Sequence, residues 1–332
     1  MRLEIRILGP LEALVDGTPV RLGGRRQRAV FAILVAQANE VVSVERLIDG
    51  VWGEAPPETA ANVLQGYVSG LRKVLGRDTI ATRGRGYTVA VADGTLDLDG
   101  FERHAATGMA EQSTGRAAES SAAFAAALAL WRGPALSDLV DIPGVRPIAA
   151  RLDELRLVAL ERRLESDLDC GRHAEAAAEL EALIAEHPLR ERLRALRMLA
   201  LYRSGRQAEA LDAFRAARTA LVDELGIEPH AELHELERAI LRQDASLAQP
   251  ERRFAAPPTP RRTVLAAALT DRALPLLAQI AAPLARRDGG ELVLAAPWRA
   301  PGSSRPSRTT CGRSAPRSRP TEWRCGWASS PP

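Results

Sequence analysis

Lysine is nearly absent from this chain. Lys73 is the only one in 332 residues, and arginine carries the rest of the positive charge amid abundant Ala and Leu, a bias that reflects high-GC coding more than any activity. Aromatic residues are scarce at 4%, yet the 46% hydrophobic share is that of packed globular domains and excludes an extended polymer. Cysteine is limited to Cys170, Cys311 and Cys325, an odd number without paired spacing, which argues against a disulfide framework and against a zinc cluster. No apolar run reaches the length of a membrane helix; the best stretch, 264–285, is broken by Asp271 and Arg272. Met1-Arg2-Leu3-Glu4 leads into alternating residues and not into the apolar stretch of a secretory signal. A Walker-type Gly-x-x-x-x-Gly-Lys is missing, so no ATPase module is expected. The expectations are a cytoplasmic chain with no membrane partner, no metal, no cofactor and no enzymatic activity.

Net charge is +3, but it is unevenly spread. Residues 1–98 hold 12 basic against 11 acidic side chains, 99–250 hold 19 against 26, and 299–332 hold 7 against 1. The folded part is therefore close to neutral or slightly acidic. Any contact with nucleic acid must come from a local patch and not from a global field.

The first hundred residues pattern as strands, three helices and a hairpin. Leu3, Ile5 and Ile7 alternate with Arg2, Glu4 and Arg6, a half-buried strand over 2–8; Asp16-Gly17 makes a turn, and Val20-Arg21-Leu22 resumes the pairing. A helix over 25–38 carries Val30, Ile33 and Leu34 on one face, and Ser43 caps a helix over 44–51. After the Pro56-Pro57 loop comes a helix over 60–75. Leu64, Val68, Leu71 and Leu75 form its buried stripe, while Asn62, Gln65, Ser69 and Arg72 line the opposite face, side-chain types that bond base edges and phosphates. Thr79–Thr82 and Tyr87–Val89 flank Arg83-Gly84-Arg85-Gly86, a tight hairpin whose two arginines suit a minor groove or phosphates. Singly, each feature favours a plain solvated face or an ordinary turn. Their order and clustering favour an α+β winged helix-turn-helix that binds double-stranded DNA.

Several strings carry a family resemblance: Gly24-Arg25-Arg26-Gln27-Arg28-Ala29-Val30, Leu47-Ile48 to Val51-Trp52-Gly53, Val68-Ser69-Gly70-Leu71-Arg72-Lys73-Val74-Leu75, and Gly86-Tyr87. They resemble the Streptomyces antibiotic regulatory proteins, whose DNA-binding half is an OmpR-type winged helix. The resemblance implies that helix 60–75 enters the major groove, with Asn62, Gln65, Ser69, Arg72 and Lys73 facing DNA. It also implies that wing residues Arg83 and Arg85 touch the flanking minor groove, and that Arg25 and Arg26 hold the DNA backbone. Gly66 departs from the commoner pattern. It either costs about 1 kcal/mol of helix propensity or lets the DNA backbone come close.

Residues 99–245 are helical in pattern and internally repeated. Gly171-Arg172-His173-Ala174-Glu175-Ala176 recurs as Gly205-Arg206-Gln207-Ala208-Glu209-Ala210 at an offset of 34, with Leu180 matching Phe214. That period points to an all-α, tetratricopeptide-like domain of stacked hairpins, a type that binds partners. Gly115-Arg116-Ala117-Ala118-Glu119 is an earlier relative, 56 residues before Gly171, so an insertion separates them. Ala127 to Leu136, His187-Pro188-Leu189-Arg190-Glu191, Ala200 to Gln207 and Glu224 to Pro229 resemble the family's bacterial transcriptional activation domain. The resemblance spans 1–243 and implies an activator of secondary-metabolism or similar gene clusters that contacts RNA polymerase and its sigma factor and forms a homodimer on repeated promoter half-sites. In this reading Trp131, Asp223 and Glu224 serve in packing and capping.

His230 and His234 have the i, i+4 spacing of metal ligands, but no third ligand accompanies them, and surface histidines are expected. Residues 246–262 read as a linker. Strands over 263–269 and 291–296 around a helix over 271–287 make a partial α/β unit, 263–298, resembling the start of a universal-stress-protein domain. The Arg/Ser/Pro-rich 299–332 cannot form a core and is expected to be a disordered basic tail. Out-of-frame coding would read this way, as would a nucleic-acid-binding tail; the strand–helix unit cut off in mid-domain favours the first. Two rival functions remain: a repeat-type adaptor whose winged helix only packs, and a regulator responding to nucleotides through 263–296.

Overall fold

The computed structural model describes residues 2–92 and 94–247, and the backbone of 263–267 and 291–295. The N-terminal alternation forms β1 (Leu3–Arg6), which buries Ile5 completely. It pairs antiparallel with β2 (Glu12–Val15), Leu3 opposite Val15, and the Asp16-Gly17 turn leads from β2 into β3 (Thr18–Pro19). The resumed pairing expected at Val20–Leu22 thus falls two residues earlier, because β2 and not β1 enters the turn. Val20 keeps one bond of that ladder, its N–H donating to the Ala13 carbonyl at 2.9 Å.

Helix α1 (Arg25–Val35) buries an unbroken run from Ala29 to Val35. Helix α2 (Val44–Trp52) is capped by Ser43, whose Oγ accepts the Arg46 N–H at 3.1 Å. Helix α3 (Ala60–Leu75) sinks Leu64, Val68, Leu71 and Leu75 into the core, none more than 1% exposed. A short β4 (Val42–Ser43) precedes α2, and β5 (Ile80–Arg83) and β6 (Gly86–Val89) close the domain in the order β4-β6-β5. The wing turn is only Gly84-Arg85, with Gly84 at φ 53. Gly86 has no room for a side chain, since a Cβ there would lie 2.4 Å from the Val42 carbonyl oxygen.

Among the described residues seven α-helices follow: α4 (Asp97–Ser113), α5 (Ala117–Leu128), α6 (Arg146–Asp169), α7 (His173–Glu186), α8 (Glu191–Arg203), α9 (Gln207–Leu225) and α10 (Ala231–Leu241). The repeated Gly-Arg pairs are three copies of one turn. Gly115, Gly171 and Gly205 have φ of 73, 84 and 78, and the arginine after each donates its N–H to the carbonyl five residues back, at 2.9–3.0 Å. Each turn ends one helix and leads into the next. The wider spacing of the first pair is absorbed by the loop 129–145 and by the 24 residues of α6.

Two apolar cores result. The first runs from Ile5 through Leu64, Phe101 and Trp131 to Ala159, so packing continues across the boundary expected at residue 98. The second spans Leu157 to Ile240. The loop 129–145 belongs to the first core and clasps the N-terminal sheet. The Arg132 N–H donates to Leu8 O at 2.8 Å, Leu136 N–H to Gly9 O at 2.7 Å, and Leu11 N–H to the Asp138 carboxylate at 2.9 Å. Gly144 N–H donates to Gly50 O at 2.8 Å, and a Cβ at Gly144 would lie 2.5 Å from the Gly50 Cα. Asp97 accepts the N–H groups of Ile7 and Leu8 at 2.9–3.0 Å. Burial pushes its carboxyl up, against the pull of those amides and of Arg132.

Residues 250–332 form a separate unit, in which β7 (Thr263–Ala267) pairs in parallel with β8 (Glu291–Ala295). The expected helix 271–287, most of the linker and the tail 299–332 lie outside the described residues. Among those described, no helix is long and apolar enough to cross a membrane.

Candidate nucleic-acid interface

The stripe that anchors α3 fixes what its other side presents. Asn62, Gln65, Gly66, Ser69 and Lys73 are exposed, and Asn62, Gln65, Ser69 and Lys73 spend no side-chain hydrogen bond or ion pair on the described residues. At the wing, Arg83, Gly84 and Arg85 are all exposed. Arg85 adds a small attraction at Glu45, whose carboxyl is lowered chiefly by its own backbone amide and by the Ser43 hydroxyl. A Cβ on Gly66 would meet nothing within 4 Å, so packing among the described residues does not require glycine there.

Arg72 sits differently. It is half-buried, its Nε donating to Ile80 O at 2.8 Å and its Nη2 to Thr82 Oγ1 at 2.8 Å, with the guanidinium 5.9 Å from the Tyr87 ring centroid. The last turns of α3 lie beside the wing hairpin, so a side chain at this angle meets strands and not open solvent.

The first turn of α1 is also engaged. Arg25 forms an exposed ion pair with Asp141 of the loop 129–145. The Arg26 guanidinium lies 5.8 Å from the Trp52 ring centroid, and Trp52 stacks on Tyr67 of α3 at 6.2 Å and 11°. Arg25, Arg26, Tyr67 and Asp141 border a groove of about 500 Å³ that also takes in Gln27 and Ile142. Asp141 escaped the sequence reading because it stands 116 residues from Arg25 in an irregular loop, where no periodicity marks it.

The histidines serve the fold. His230 caps α10, and His234 packs edge-on against Phe214 at 5.2 Å. Among the described residues no group of three His, Cys, Asp or Glu could hold a metal. Trp131 is 9% exposed and meets Phe101 in a T-shaped contact at 5.6 Å.

Comparison with known proteins agrees with this two-part architecture. The family described as transcriptional regulatory protein, C terminal, matches residues 17–89, and the bacterial transcriptional activator domain matches residues 96–241. The regulatory protein DnrI of Streptomyces peucetius is 43% identical over 74% of this chain and 94% of its own length. The transcriptional regulatory protein EmbR of Mycobacterium tuberculosis is 42% identical over 73% of this chain, but the match takes in only 64% of EmbR. A solved structure of M. tuberculosis EmbR in complex with a low-affinity phosphopeptide superposes with a TM-score of 0.70 at 42% identity, covering 73% of this chain and 65% of that one. A winged helix joined to an activator domain defines a transcriptional regulator. This chain belongs to the Streptomyces antibiotic regulatory protein family.

Proposed function

We propose that the chain binds promoter DNA in a sequence-specific manner and activates transcription. Helix α3 lies in the major groove, where Asn62 and Gln65 read base edges and Ser69 and Lys73 hold the flanks. Arg83 and Arg85 reach the adjoining minor groove or its phosphates, and Arg25 and Arg26 grip the backbone from α1. The observation that carries this reading is the row of polar side chains on α3, without a hydrogen-bond or ion-pair partner among the described residues, beside an exposed arginine wing.

The three-fold Gly-Arg turn supports a tetratricopeptide-type array, whose hairpins offer a surface to RNA polymerase, its sigma factor or a second copy of the chain. Two copies then occupy repeated half-sites.

Selection of bound duplexes from a random pool by gel shift, with the full chain, tests the proposal. A motif repeated at a fixed spacing is the expected result, and transcription from a promoter carrying it should rise when the chain is added. A pool that returns no enriched sequence overturns it.

A further inference from the structure

Arg72 and Lys73 are neighbours on α3 and carry the same charge, yet they are used in opposite ways. Lys73 is exposed and has no partner among the described residues; Arg72 turns inward and joins the helix to both strands of the wing. Its two hydrogen bonds end on Ile80 and Thr82 of β5, and its guanidinium faces Tyr87 of β6, the residue directly opposite Thr82 in the register. Thr82 is followed at once by Arg83, and the wing turn Gly84-Arg85 comes next.

We infer that Arg72 is a positioning residue: it holds the wing at a set distance and angle from α3, so that wing arginines and helix side chains meet one stretch of DNA in a single register. The inference rests on the DNA-binding reading above. The hairpin is tied to β4 through the pairing of β6 and through the Val44 N–H on Arg85 O at 3.0 Å, but the side-chain hydrogen bonds that link it directly to α3 among the described residues are both those of Arg72. A planar fork that donates to a strand carbonyl and a strand hydroxyl while covering a ring on the next strand supplies that constraint. An ammonium group on a flexible stem lacks the fork geometry that spans these sites.

The test is a set of double-mutant cycles on the full chain, read as affinity for the selected duplex across a salt series. Arg72→Ala should weaken binding by up to the loss caused by Arg83→Ala with Arg85→Ala, and should flatten the salt dependence in the same way. With the wing arginines already removed, Arg72→Ala should change affinity by no more than about twofold, the scatter of uncoupled substitutions. Arg72→Lys should behave like Arg72→Ala despite its retained charge. Thr82→Val, which removes one acceptor and leaves Arg72 in place, should reproduce part of the loss in the same wing-dependent manner, and it serves as the probe if Arg72→Ala fails to fold. Base preference at positions under α3 should persist in all of these variants.

An Arg72→Ala loss of equal size with and without the wing arginines overturns the inference, whether it arises from direct contact with DNA or from a weakened fold. So does full rescue by Arg72→Lys with a neutral Thr82→Val. If the unmodified chain selects no sequence at all, the proposed function fails, and that outcome is distinct from either of these.

Discussion

The helical part holds more arginines than the winged helix and ties a larger share of them into ion pairs. Arg163 and Arg172 both close on Asp167; Arg190 bonds Glu161 at 2.7 Å and Glu154 at 2.8 Å; Arg192 meets Glu165 at 2.7 Å, Arg203 meets Asp169 at 3.2 Å and Arg218 meets Glu228 at 2.6 Å. On the outer face of α3 and at the wing, Lys73 and Arg83 have no such partner. The excess of carboxylates in 99–250 accounts for most of the ion pairs there, although Arg103, Arg151, Arg238 and Arg242 stay exposed outside them. The proposed polyanion surface is therefore marked by unpaired donors that cluster on one helix face and its neighbouring wing, and not by the count of basic residues.

That contrast can be broken most severely by cutting the chain. A fragment ending at Ala92 loses Asp97 and the whole loop 129–145, with the strand-end bonds and the buried Trp131, Leu136 and Leu139 they bring to the first core. It should lack the cooperative urea transition by circular dichroism that a fragment ending at Gln249 retains. A two-state transition in the shorter fragment would make the winged helix independent after all.

Within the array, Asp167→Ala strips the shared acceptor from Ser121, Arg163 and Arg172. The stability of the helical part, measured by urea unfolding, should fall by about 3 kcal/mol. DNA affinity at low temperature should not change, because those arginines lie outside the proposed interface. Gln65→Ala should do the reverse, leaving stability intact and relaxing preference at particular base pairs by about 1–3 kcal/mol each. Uniform weakening on every sequence would make Gln65 a backbone contact.

Arg83→Ala with Arg85→Ala should lower the slope of log affinity against log salt by about 0.9 for each phosphate that the wing no longer neutralises. An unchanged slope removes the wing from the interface. The smallest effect is expected where a carboxylate of the loop 129–145 pairs with an arginine of the proposed interface. Asp141→Asn should free Arg25 and tighten DNA binding by no more than about 1 kcal/mol at low salt, with the gain fading as salt rises. Weaker binding would show that the ion pair supports the site instead of competing with it.

Where one element decides its own surroundings, the residues were legible. The bounds of α3 and its buried stripe follow from spacing alone, Ser43 announced the start of α2, and the Gly-Arg repeats marked helix ends because only glycine tolerates that left-handed turn cheaply. Arrangements made by two distant segments were not legible. The helical angle of Arg72 placed it on the outer face, but nothing in the spacing shows that β5 comes up against that part of the face. The strand β2 was missed because Glu12–Val15 is short and lacks clean alternation. The loop 129–145 hides the central joint of the molecule among irregular residues, where Leu136 adopts a φ of 48 and periodicity has no purchase.

The backbone contact of Gly50 with Gly144 has a mechanical consequence. Gly144 lies two residues ahead of α6, a helix about 36 Å long that starts in one core and ends in the other. Gly50 lies in α2, the helix before α3. Side chains at a joint act as springs, because they change rotamer under load; two peptide planes in direct contact have no such give. A tilt imposed on the far end of α6 by a bound partner would therefore arrive at α2 undamped, as displacement of a rigid beam about a bare pivot.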